Sequence, residues 1–250
     1  MQTLKFLGRG DCFNPNEDNT SAYYINKNDF ILIDCGETVF KKILKSKILD
    51  NNKFDNIYIV ITHLHSDHVG SLSSLIFYCK YILDIMPVVI YHEEKHMMDF
   101  LMMQHCLYRE HYLIQDSAYF IVKTERSRHS KTIVSQLIQS GTSATTGDMD
   151  IYYCYSYIFN LNGKIIYYSG DNTIIPEYVT AHPRISEIYQ DCSTSLLQVH
   201  MDIEIYKEYV QRIKNNKGTR NPEFYVIHID DYEKIKEACK GTGIKIVKVE

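Results

Sequence analysis

The stretch Thr62-His63-Leu64-His65-Ser66-Asp67-His68-Val69-Gly70 puts three imidazoles and a carboxylate within six residues. Imidazole and carboxylate are donors for Zn, Mn and Fe. Four donors this close together on a turn do not converge comfortably on one ion. They can serve two adjacent ions, with His63 and His65 on one and Asp67 and His68 on the other. Two ions about 3.5–4 Å apart would bridge a hydroxide and clamp a phosphoryl or carbonyl oxygen, which is the chemistry of a hydrolase. The competing explanation is a polar surface turn. At this chain's own His and Asp frequencies, chance supplies the motif only about 0.0015 times in a chain of this length.

A rival motif is weaker. His92-Glu93-Glu94-Lys95-His96 fits the zincin pattern His-Glu-x-x-His. Chance supplies that pattern roughly twenty times more often. It also falls at the very start of a predicted helix, and no third-ligand signature follows it. We read it as a polar first turn. His105, His111 and His182 have no motif around them and read as surface or structural residues. The basic helix around Lys207, Arg212 and Lys214 reads as a solvated face.

The strong motif needs an element behind it. Residues 57–61 (Ile-Tyr-Ile-Val-Ile) form a buried-strand run that leads straight into His63. The carboxyl ends of strands are where α/β folds place their sites. The pattern predicts further strands over 2–7, 88–91, 118–122, 187–189, 224–227 and 244–249, and hairpins over 22–33 and 152–168. Helices are predicted over 38–49, 70–82, 93–105, 202–213 and 231–240. Residues 140–150 read as a Ser/Thr/Gly/Asp loop. Strands and helices alternate in both halves, which predicts a layered α/β fold in one domain over 1–250.

Composition narrows the class. The chain has 250 residues, of which 45% are hydrophobic, so a disordered chain is excluded. Lys+Arg number 27 and Asp+Glu 31, for a formal charge of −4. That balance argues against a long nucleic-acid footprint, which needs a basic face. No apolar run reaches the ~18 residues of a membrane span. The first residues carry no signal-peptide core, and the seven cysteines include no Cys-x-x-Cys pair. Both features predict a reducing, cytoplasmic setting with free thiols.

With these residues in view, the sequence resembles the metallo-β-lactamase superfamily, and within it the ribonuclease Z-like phosphodiesterase branch. The similarity extends over about residues 3–249. Asn19-Thr20-Ser21 resembles an early segment of that branch, and Ile31-Leu-Ile-Asp34-Cys-Gly36 the family's first motif. His63, His65, Asp67 and His68 match the second motif, Tyr168-Ser-Gly-Asp171 the fourth and Val226-Ile-His228 the fifth. The resemblance implies an αββα sandwich with the metals along one edge. It implies a metal set of His63, His65, Asp67, His68, Asp171 and His228, with Asp171 bridging. It also implies that Asp34 hydrogen-bonds a ligating His and fixes its tautomer.

One motif is missing. The family's third motif supplies a His before the strand near 152, but residues 139–150 contain none, and the nearest upstream is His129. Asp148 or Asp150 would be a replacement ligand, which would favour a harder ion such as Mn or Fe over Zn. Two divalent ions with Zn first, a single ion, and a degraded site all follow from this departure. In the same branch an acidic residue and a later His act near the leaving group; here these correspond to Asp191 and His200. A protonated imidazole held by a carboxylate suits proton donation to a departing alkoxide.

The resemblance therefore predicts a metal-dependent phosphodiesterase. Asp67 and Asp171 would position the attacking hydroxide, and Asp67, Asp191 and His200 form the catalytic set. The long Gly/Pro-rich arm with which ribonuclease Z enzymes grip tRNA has no counterpart here. Together with the charge, this points to a small or cyclic nucleotide or a short phosphodiester. A homodimer is implied by resemblance alone. The alternatives are an acyl hydrolase for a lactone, thioester or β-lactam on the same metals, and a non-catalytic binding protein with a degraded site.

Overall fold

The computed structural model describes residues 2–50, 53–128, 153–195, 200–215 and 221–250. Its strands form two six-stranded sheets. The first contains β1 (Lys5–Gly8), β2 (Ser21–Asn26), β3 (Asp29–Ile33), β4 (Asn56–Val60), β5 (Val88–Ile90) and β6 (Leu113–Gln115), side by side in that order. The strands β1 to β3 pair antiparallel, and β3 to β6 parallel. The second contains β7 (Ile121–Arg128), β8 (Tyr153–Leu161), β9 (Lys164–Tyr168), β10 (Ile185–Asp191), β11 (Glu223–Ile227) and β12 (Ile244–Ile246). It repeats the scheme, with β7 to β9 antiparallel and β9 to β12 parallel.

Parallel neighbours need crossover connections, and each of these contains a helix. The helices are α1 (Val39–Ser46), α2 (Ser66–Val69), α3 (Leu72–Tyr81), α4 (Glu94–Met103), α5 (Glu177–Ala181), α6 (Ile203–Asn215) and α7 (Tyr232–Cys239). In α6 the buried residues Ile203, Tyr206, Val210 and Ile213 recur at helical spacing, so one stripe faces inward. Asp231 caps α7 by accepting the Lys234 N–H at 3.1 Å. Antiparallel neighbours need only short turns. Between β8 and β9, Asn162 (φ 52°) and Gly163 (φ 84°) both take the left-handed conformation that a two-residue hairpin requires.

Strand alternation layers the molecule. In the second sheet Ile188, Phe224 and Val226 pack with α6 and α7 residues such as Tyr206 and Ile235. Their neighbours Tyr189, Tyr225 and Ile227 turn the other way, into a core shared with Phe6, Ile31 and Ile59 of the first sheet. The Phe6 and Tyr189 rings meet across that core with centroids 5.5 Å apart. The result is two sheets face to face with helices outside, the αββα sandwich that the family resemblance implies.

Some elements depart from expectation. The helix expected over 70–82 is α3, but the turn expected before it contains a short helix, α2, which carries Asp67 and His68. The strand expected over 118–122 begins at Ile121 and continues to Arg128. The sequence pattern predicts neither β6 nor α5; at three and five residues they are too short to show a period. Among the described residues no helix is long and apolar enough to cross a membrane.

The topology gathers five strand ends. Asp34 follows β3, Thr62 and His63 follow β4, Asp171 follows β9, Asp191 ends β10 and His228 follows β11. Backbone bridges join the sheets at this edge: Gly10 pairs with Ile229, and Phe6 with Val249.

Candidate metal centre

Three donor groups meet at this edge. Asp67, His68, Asp171 and His228 form one, His63, His65 and Asp171 a second, and Asp171, Asp191 and His200 a third. Within each group the donor atoms lie within 4.8 Å of one another. Asp171 belongs to all three. Its Oδ1 lies 3.4 Å from His68 Nε2 and 3.5 Å from His228 Nε2, and its Oδ2 lies 3.7 Å from His63 Nε2. One carboxylate thus turns an oxygen to each set of imidazoles. Asp67 Oδ2 completes the first group, 3.1 Å from His228 Nε2 and 3.3 Å from His68 Nε2.

The backbone is shaped to allow this. Asp34 (φ 61°) and His228 (φ 53°) both take left-handed conformations directly after their strands. Such conformations are uncommon outside glycine and concentrate at functional sites. The His228 N–H is anchored by donating to Thr20 Oγ1 at 3.0 Å. Ser21 Oγ donates to the Asp34 carbonyl at 2.8 Å. The Asn-Thr-Ser segment therefore fixes one functional residue from each sheet. Gly36 lets the loop after β3 lie directly on the Asp67–His68 turn, because a Cβ there would overlap the Asp67 carbonyl.

Asp34 lies fully buried behind the cluster. It accepts from His68 Nδ1–H at 2.9 Å and from the Thr62 N–H at 2.8 Å. The Thr62 hydroxyl also donates to Asp34, at 2.9 Å to Oδ2. With its one proton committed, Thr62 Oγ1 can only accept from His63 Nδ1–H, at 3.1 Å. One carboxylate therefore fixes both His68 and, through Thr62, His63. Both rings turn Nε2 toward the cluster, where a metal ion replacing a proton would find a lone pair. Cys154 supports the other side: its sulfur accepts the Asp171 N–H at 3.1 Å and lies 3.7 Å from His63 Nδ1. The sequence pattern does not single out Thr62, Cys154 or a role for Thr20. For Thr62 a signal is present, since a hydroxyl stands directly before the first ligand.

The electrostatics ask for a cation. Burial alone would raise the Asp171 carboxyl, but the imidazoles of His228, His68 and His63 outweigh it and hold the group well below the usual range. Burial raises Asp67 too, and His68 and His228 again win and lower it. In reverse, burial would lower His68, yet Asp171, Asp34 and Asp67 hold its proton on well above the usual imidazole range. Three buried carboxylates crowd these imidazoles, and a bound cation would supply the positive charge that they otherwise draw from protons on the rings. His and Asp donors of this kind suit Zn, Mn or Fe, so the residues present fit a divalent metal. Asp67, His68, Asp171 and His228 would hold one ion, and His63, His65 and Asp171 another.

The third group sits beside these. His200 Nδ1 lies 3.1 Å from Asp191 Oδ2 and 3.9 Å from Asp171 Oδ2. Burial would lower the His200 imidazolium, but the hydrogen bond to Asp191 and the charges of Asp171 and Asp191 push it up to about 9. Its ring also lies against that of His228, with centroids 4.8 Å apart.

The remaining sequence expectations can be placed directly. Asp148, Asp150 and His129 lie outside the described residues. His92 precedes α4, so the zincin-like pair does not share a helix face. His111 is buried away from the cluster, accepting the Leu107 N–H at 2.8 Å and meeting the Tyr81 hydroxyl at 2.8 Å.

Known proteins share this geometry's setting. A family model described as "Anti-Pycsar protein Apyc1" matches residues 2–231. The chain belongs to this family. An Anti-Pycsar protein Apyc1 from Bacillus phage vB_BsuM-Goe3 is 24% identical over 252 residues, covering 96% of this chain and 93% of that protein. Another, from Bacillus phage BSP38, is 35% identical over 81 residues, covering 32% of this chain and 30% of its own length. Among solved structures, the metallo-β-lactamase fold protein YhfI from Bacillus subtilis superposes with a TM-score of 0.67 at 16% identity, covering 98% of this chain and 95% of the other. Human tRNase Z, short form, gives 0.62 at 14% identity, covering 98% and 96%. These neighbours bear out the metallo-β-lactamase fold, and the ribonuclease Z-like resemblance is matched in sequence by a ribonuclease Z from Haloarcula marismortui, 31% identical over 74 residues, covering 29% of this chain and 22% of that protein. The fold and the buried His/Asp cluster together support a metal-dependent hydrolase.

Proposed function

We propose that this protein is a phosphodiesterase that holds two divalent ions, Zn first among them, and cleaves small or cyclic nucleotides or short phosphodiesters. The observation that carries this reading is the sharing of Asp171 by both ligand groups, with the His200–Asp191 pair 3.1 Å in length beside it. When bound, the ions supply Lewis-acid stabilisation of charge on the phosphoryl group. Asp67 orients the attacking water and accepts its proton. With Nδ1 engaged by Asp191, His200 delivers a proton from Nε2 to the departing alkoxide. The charge of −4 favours a small substrate over a long nucleic acid. A cytoplasmic homodimer completes the proposal, and gel filtration tests the dimer.

The decisive assay uses zinc-loaded protein on cyclic mononucleotides and bis-p-nitrophenyl phosphate, beside a panel of chromogenic esters and lactones. Turnover of the phosphodiesters is the expected result. His200→Ala should lower turnover of the cyclic nucleotide about 10²-fold, the scale of general acid catalysis, with metal content intact. Turnover of the ester or lactone panel alone would overturn the phosphodiesterase reading in favour of an acyl hydrolase. A purified protein that is inactive and takes up no metal would make it a binding protein.

A further inference from the structure

We propose that Asp230 is a positioning residue for the proton donor: its carboxylate clamps the Ser193–Thr194 turn and so holds His200 against Asp191. The proposal rests on the reading above, in which His200 protonates the leaving group. Asp230 belongs to none of the three donor groups, yet its carboxylate is surrounded by donors. The Thr194 N–H reaches both carboxylate oxygens at 3.0 Å. The hydroxyls of Ser193 and Thr194 each donate to Oδ2 at 3.0 Å. The Asp231 N–H donates to Oδ1 at 2.9 Å.

What Asp230 grips is the junction between the two members of the pair. Ser193 lies two residues beyond Asp191. Its N–H donates to the Met201 carbonyl at 2.9 Å, and its carbonyl accepts the Ile203 N–H at 3.1 Å. Met201 directly follows His200, so Ser193 ties Asp191 to His200 through backbone alone. Asp230 in turn stands two residues beyond His228. Asn14 Nδ2 fixes the backbone there by donating to the carbonyls of Ile229 at 3.2 Å and Asp230 at 3.1 Å. The clamp thus registers the proton donor to the strand end that carries the last histidine of the cluster. A carboxylate suits this position because it only accepts. An amide at 230 would turn N–H groups against donors and loosen the turn. Small displacements matter here, since about 1 Å of misplacement can lower a rate roughly 10²-fold.

The test separates substrates by leaving group. A p-nitrophenolate departs without a proton, whereas a ribose alkoxide needs one. Zinc-loaded Asp230→Asn, Ser193→Ala and His200→Ala are compared on bis-p-nitrophenyl phosphate and on a cyclic mononucleotide, with metal content measured for each. Asp230→Asn is expected to lose about tenfold or more on the cyclic nucleotide, and far less on the p-nitrophenyl ester, with its metal retained. Ser193→Ala, a milder change, is expected to show the same selectivity to a lesser degree, and it decides the question if Asp230→Asn does not fold. In Asp230→Asn combined with His200→Ala, the loss should be no greater than in His200→Ala alone. Equal losses on both substrates in Asp230→Asn, while His200→Ala remains selective, would overturn the clamp and leave the proton donor standing. A His200→Ala variant with no leaving-group preference would overturn the proton-donor reading itself, and the clamp with it.

Discussion

The two ligand groups on either side of Asp171 are built differently. Asp67, His68 and His228 are all buried, and their group draws on both sheets. Asp34 holds His68 directly, and Thr20 holds the His228 backbone. In the other group His63 is buried but His65 is exposed. His63 is linked to Asp34 through the Thr62 hydroxyl. Burial strengthens every charge interaction, and a direct carboxylate partner makes an imidazole a better donor. Among the described residues the same two donor types therefore make one deep, braced group of four and one shallower group of three.

The comparison can be tested from its centre outward. Asp171→Asn should remove the shared oxygen charge, strip both sites of metal and lower turnover by about 10²–10³-fold, the scale of losing one stabiliser of transition-state charge. Elemental analysis beside steady-state rates would check this, and retention of both ions would sink the bridging role. Next come His228→Ala and His65→Ala as a pair. The first should empty the deep site, whereas the second should weaken only the shallower one. Competitive titration with a chromophoric chelator reads this out, and equal loss of affinity in the two variants would erase the asymmetry. Asp34→Asn should lower metal affinity or activity about 10–100-fold, the usual cost of losing an orienting partner. Because Asp34 serves both groups, that loss should appear at both sites; confinement to the His68 site would remove Thr62 from the relay. The smallest effect belongs to Thr62→Val, which breaks only the indirect link. It should cost a few fold, about tenfold at most, and mainly at the His63 site.

The ligands are far more legible in the sequence than the residues that brace them. The density of donors at 63–68 announces a metal site because such a cluster is chemically specific. Asp171, Asp191, His200 and His228 stand out by order and motif, and the fold brings all four to one edge. The bracing leaves no such trace. Cys154 looks like an ordinary strand residue until β8 lies behind His63, and Thr20 meets His228 only across 208 residues of chain. Long-range hydrogen bonds leave no period in a sequence. Short elements also escape, since the three residues of β6 and the five of α5 cannot display an alternation or a helical stripe.

The anchoring of His228 by Thr20 has a consequence for how the protein comes together. His68 and His228 stand 160 residues apart along the chain, and their ring nitrogens end 3.3 Å apart. A growing polypeptide that has just emitted residues 63–68 carries only a loose cluster of donors. The deep pocket comes into being when the second sheet docks and Thr20 catches the backbone at the end of β11. Such distant pairing is slow to form, and ligand binding adds to stability only once the pocket exists. Metal uptake at that site would thus come at the end of folding, and a bound ion would seal an assembly that the chain must complete by itself.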